Sequence, residues 1–132
     1  MIENLKYNKR TIAIIIRSNF VSKKTKFFTN SNSEFQIGSI VYKKNTEAKK
    51  HSHNKRNSTI KSTSEVLYIK KGKIIASIYN KKCTRLLFRK FLNKGDILFL
   101  NECGHSFKFV KDTQMIEIKQ GPYLNLNDKK IF

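Results

Sequence analysis

"EVLYIKKGKIIASIY", residues 65–79, decides the fold. Its apolar residues fall in two short runs with a period nearer two than 3.6, parted by a polar turn that contains a glycine. Half-buried β-strands read this way, and the spacing predicts strands at 65–70 and 73–79. The same pattern continues on both sides, predicting strands at 11–17, 34–43, 84–92, 96–101, 104–110 and 113–119. The links "KKGK", "NKKC", "NKGD" and "VKD" are short and polar and often carry the Gly or Asn that tight turns need, so sequential hairpins are expected to dominate the second half. No stretch shows a capped helical stripe of three turns, so any helix should be short and peripheral. The expected fold is all-β, with about eight to ten short strands closed into a barrel or rolled into two sheets, which limits exposed edges. Residues 44–64, "KNTEAKKHSHNKRNSTIKSTS", are the polar exception and read as a long functional loop.

At 132 residues the chain is expected to form a single domain, 1–132. Ten Phe, five Tyr, one Pro and five Gly exclude collagen-like, disordered and repeat classes. The formal charge of +19 first suggests nucleic acid. However, the excess is mostly scattered lysine, the chain is also rich in Ile and Asn as A+T-rich codons would make it, and no nucleic-acid-binding motif is present. Nucleic acid is therefore not the expected partner, whereas an anionic small molecule suits the charge. The run "TIAIII", 11–16, is too short for a membrane span or a signal-peptide core. A cytoplasmic location with reduced Cys83 and Cys103 is the expectation.

The candidate chemistry lies in the three histidines. His51 and His53 alternate onto one side of an extended segment, so two imidazoles can reach one ion. Glu65 opens a strand and shares its face with Leu67 and Ile69, so its carboxylate sits at the mouth of an apolar interior and calls for a cationic partner, a metal, Lys or Arg. His105 shares a face with Phe107 and Phe109 and looks inward; the alternative is a core histidine bonded to a backbone carbonyl. Cys103 is a soft ligand, an oxidisable thiol or a turn-packing cysteine. Glu117 faces solvent or an interface if Ile116 and Ile118 face the core, and is a general acid or base if Met115 does; alternation alone allows both.

Together these residues resemble the cupin family. His51-Ser52-His53, then Glu65 and, after six intervening residues, Gly72 match its first motif, and Gly95, "DILFL", Asn101, Gly104 and His105 match its second, with Asn101 in place of the usual Pro. "SEVLYIKKGK" and "IEIKQGPY", the latter with Gln120, Gly121 and Tyr123, are similar to small stand-alone cupins of bacterial surface-polysaccharide loci. The resemblance implies a jelly-roll barrel (double-stranded β-helix) with its core over about 27–120 and a tail at 121–132. It further implies a divalent metal (Zn, Fe, Ni, Co or Mn) held by His51, His53, Glu65 and His105, with Glu117 and His105 as catalytic residues. Eleven residues separate His53 from Glu65, so the intervening loop must bulge outward for both to reach one ion. The activity implied is metal-dependent isomerisation or epimerisation of an anionic sugar or nucleotide-sugar; the alternative is a saccharide-binding or regulatory cupin without turnover. A homodimer is expected, with residues 11–17 lending a strand to the partner.

Overall fold

The computed structural model describes residues 1–55, 57, 59–121 and 131–132. All regular structure among them is β: β1 Ile2–Tyr7, β2 Arg10–Ile16, β3 Lys26–Phe27, β4 Gly38–Ser39, β5 Ser64–Lys71, β6 Lys73–Tyr79, β7 Leu86–Asn93, β8 Ile97–Asn101, β9 Gly104–Phe109 and β10 Gln114–Lys119. No helix among the described residues is long and apolar enough to cross a membrane. The chain divides into two compact units, Met1–Phe20 with Ser62–Phe132, and Val21–Lys61.

In the larger unit, a five-stranded antiparallel sheet runs β1-β2-β8-β5-β10 and a three-stranded one runs β7-β6-β9. One apolar core joins their facing sides. Ala13, Ile15, Leu67, Ile69, Leu98 and Leu100 come from the first sheet, and Ile74, Ala76, Ile78 and Leu92 from the second. All ten are 3% exposed or less. Alternation along each strand selects these residues, and the apolar surface they remove from water is the main force holding the two sheets together.

The quoted stretch forms both of its strands, but they do not pair with each other. β5 lies in the five-stranded sheet and β6 in the three-stranded one, so the expected hairpin is instead a corner between sheets. Gly72 makes the corner possible. Its φ is 93°, and a Cβ there would run into the Asp112 carbonyl and Thr113. Only β6–β7 is a hairpin in this half of the chain. At β7–β8, β8–β9 and β9–β10 the chain crosses from one sheet to the other.

Two further expectations change. Residues 11–17 do not offer a free edge, because β2 pairs with β1 on one side and β8 on the other. β1 went unread because Leu5 is its only buried residue, and because its turn places Asn8 and Lys9 at φ 49° and 63° without the usual glycine. The expected strand at 34–43 reduces to Gly38–Ser39. There the hydroxyls of Thr29 and Thr25 accept from the backbone N–H of Ile37 (3.1 Å) and Val41 (2.9 Å), bonds that compete with extended pairing, while Ile40, Val41 and Tyr42 stay exposed.

Charged groups brace the larger unit where β1, β2, β7 and β8 meet. Arg17 donates to Glu3 (2.8 Å), to Asp96 (2.9 Å) and to the Phe91 carbonyl (2.7 Å). Asp96 is 2% exposed and also accepts from the backbone N–H of Ser18 and Asn93, so its charge is fully partnered. Lys90 joins Glu3 from the other sheet at 2.8 Å.

Candidate functional site

Register fixes which way the candidate residues face. Glu65 pairs with Leu100 on one side and Lys119 on the other, and shares its strand face with the core residues Leu67 and Ile69. His105 pairs with Ile78, a fully buried core residue, and its ring lies 5.3 Å from that of Phe107. The two sheets thus aim a carboxylate and an imidazole at each other, and His105 Nε2 stands 3.1 Å from Glu65 Oε2. Both side chains are largely shielded, at 26% and 13% exposure. Gly104 lets β9 begin here, since a Cβ at that position would collide with the Cys83 sulfur.

Two polar atoms beside this contact are buried without a hydrogen-bond partner: His105 Nδ1 and Gln120 Nε2. Gln120 is oriented by its other end, where Oε1 accepts from the Ser64 N–H at 2.8 Å. Ser64 Oγ in turn donates to Asn101 Oδ1 at 3.0 Å. Buried polar atoms without partners are rare, so these two leave hydrogen-bonding capacity beside the contact.

Glu117 is resolved by pairing. It stands opposite Leu67, and directly paired residues share a face, so Glu117 is on the same side as Met115, opposite to Ile116 and Ile118, although at 41% its side chain is exposed at the margin of that face. Its carboxylate is 3.8 Å from Lys119 Nζ. Lys119 was not singled out in the sequence. The signal was its alternation with Met115 and Glu117, which becomes legible only once the inward face is known.

His51 and His53 belong to the smaller unit and Glu65 and His105 to the larger. As the alternation implies, the rings of His51 and His53 come together, with centroids 5.4 Å apart. His51 Nδ1 contacts the Lys49 carbonyl at 2.8 Å, the kind of backbone bond that orients a ligating histidine. The donors therefore occur as two pairs, and among the described residues no group of three or more His, Cys, Asp and Glu side chains gathers at one point. At 3.1 Å, Glu65 and His105 stand at ion-pair or hydrogen-bond distance, and a carboxylate and an imidazole this close are also the donor types that would hold a divalent ion.

Cys103 is a packed thiol. Its Sγ faces the Ile12 carbonyl at 3.5 Å, and burial pushes the thiol up to about 12, so the nucleophilic, metal-binding thiolate is suppressed at neutral pH. Tyr123 lies outside the described residues. No protein-family model, curated protein or solved structure matches the chain.

Proposed function

We propose that this protein is a metal-binding, cupin-type roll that acts on a small anionic sugar derivative by isomerase or epimerase chemistry. The observation that carries the reading is the meeting of Glu65 and His105 across the two sheets, at a spacing compatible with two ligands of one ion. The winding of β5 to β10 supports it: the chain changes sheets at every connection but one, as in a jelly roll.

A bound divalent ion would act as a Lewis acid on a substrate carbonyl or hydroxyl. The chain's own residues do the rest. Glu117, on the side of Met115, takes a proton from one carbon of the sugar and returns it on the same face to the neighbouring carbon, an isomerisation. Lys119, 3.8 Å away, supplies the positive charge that steadies an oxyanion formed between those transfers. Gln120 Nε2 has a hydrogen bond to give to a bound hydroxyl. The protein works as a homodimer in the cytoplasm, pairing through β1 or β10, the edges of the large sheet.

Metal content tests the reading. The full chain, purified after growth in several metal supplements, is expected to carry about one ion, and His105→Ala and Glu65→Ala are each expected to weaken its binding by about tenfold or more. Less than about a tenth of an ion per chain in every supplement would remove the metal centre and leave the non-catalytic saccharide-binding alternative.

A further inference from the structure

A concavity lies at the end of the larger unit where β8 turns into β9. It holds about 430 Å³ between the β1–β2, β6–β7 and β8–β9 turns, and its walls include Tyr7, Arg10, Thr11, Tyr79, Lys81 and Asn101. That volume falls within the range of small-molecule sites. Ile12 and Leu87 add apolar lining, and Glu102 on the rim holds φ at 50°, a conformation that side-chain-bearing residues adopt at some cost.

The polar groups of this cleft are mostly donors, and its two cations, Arg10 and Lys81, are exposed to solvent. The side chains of Arg10 and Lys81 have no hydrogen bond or ion pair among the described residues, in contrast to Arg17, whose guanidinium is committed to Glu3, Asp96 and a carbonyl. Asn101 uses its side-chain oxygen on Ser64, which leaves its amide N–H groups over. The Thr11 and Tyr7 hydroxyls are likewise uncommitted. The two half-buried tyrosines offer ring surface, and Tyr79 is steadied by its contact with Ser106 Oγ at 3.3 Å. Two cations against one rim carboxylate, Glu102, leave the cleft positive. A guanidinium fork and a lysine point charge together match the near-double negative charge of a phosphate monoester better than the single charge of a carboxylate.

We propose that this cleft binds a small phosphate monoester, with Arg10 and Lys81 holding the phosphate and Tyr7 and Tyr79 packing against the organic part. The site shares neither Glu65 nor His105 with the candidate metal centre, although Asn101 is bonded to Ser64 beside it, and it survives if that reading fails.

Amide chemical shifts of the full chain, titrated at about 150 mM salt to screen the general field, test it with glucose 1-phosphate as the probe and glucuronate and glucose as matched arms. Glucose 1-phosphate is expected to perturb residues 8–12, 79–81 and 101–103 in a saturable way, with both other sugars binding more weakly. Arg10→Ala and Lys81→Ala are each expected to cost about tenfold in affinity. Lys9→Ala, beside Arg10 in sequence but outside the lining, should change affinity less than about twofold. Shifts spread over the lysine-rich surface, a Lys9→Ala effect equal to that of Arg10→Ala, or equal binding of glucuronate would each overturn the proposal.

Discussion

The larger and the smaller unit are made of similar residues held in different ways. In the larger, apolar residues from two sheets press against one another, and ten of them are closed to solvent. In the smaller, "EFQIGSIVYK" has the same alternation, yet only two residues pair as strand, and Ile40 and Tyr42 are 55% and 65% exposed. Alternation is therefore a request for a second layer and not a guarantee of one. Where the layer exists, side chains are fixed by packing, and the Glu65–His105 contact inherits that fixity. Where it does not, backbone is held by hydroxyls, as at Thr25 and Thr29, and by single bonds such as His51 to the Lys49 carbonyl.

The sharpest way to break this contrast is truncation in each unit. Leu98→Ala removes a fully buried side chain from the centre of the core and is expected to destabilise by about 3–4 kcal/mol, whereas Tyr42→Ala, at a position open to solvent, should change stability by less than about 0.5 kcal/mol. Denaturant unfolding measures both. Equal losses would mean that the smaller unit is as tightly packed as the larger.

A smaller effect comes from the charged brace. The Lys90 hydrogen bond, ahead of the Arg17 contacts and against some desolvation, holds the Glu3 carboxyl below its ordinary value. A carboxyl lowered in the folded state adds stability above its unfolded value near 4.5, and that stability is lost as pH falls through the folded value. Glu3→Gln should therefore cost about 1 kcal/mol at pH 7 and lose less of its remaining stability on acidification below pH 4.5 than the parent. Parallel stability–pH curves for the two proteins would show that the brace contributes nothing.

Much of the strand pattern was legible in the sequence, because alternation survives wherever a strand has one buried face: β2 and β5 to β10 all fall within a few residues of the runs that predict them. Sheet membership was not legible. A short glycine link reads as a hairpin whether the chain turns back beside itself or round a corner, and at Gly72 the deciding contacts come from Asp112 and Thr113, forty residues away in sequence. The site was legible in the same uneven way. The inward aim of Glu65 and His105 followed from Leu67, Ile69 and Phe107 on their own strands. Glu117 needed its cross-strand partner Leu67, which no single strand contains. The Arg17–Asp96 and Arg17–Glu3 pairs join residues far apart in the chain and leave no local signature.

The two cysteines offer the gentlest probe of the same distinction between a group exposed to chemistry and one absorbed by packing. Sequence alone allowed Cys103 to be a ligand, a redox thiol or a packing residue. In the fold its sulfur is turned to the Ile12 carbonyl on β2 and flanks the core, and desolvation, with Glu65 as a lesser cause, pushes the thiol up to about 12. Thiolate is the species that alkylates, so at pH 8 only about one Cys103 in ten thousand is reactive at any moment. Iodoacetamide should therefore leave Cys103 unmodified in the native protein and label it on unfolding, while Cys103→Ser retains any metal the parent binds. Rapid native labelling of Cys103, read by peptide mass, would return it to the list of chemical groups at this end of the larger unit and weaken the proposal that Glu65, Glu117 and His105 act without it.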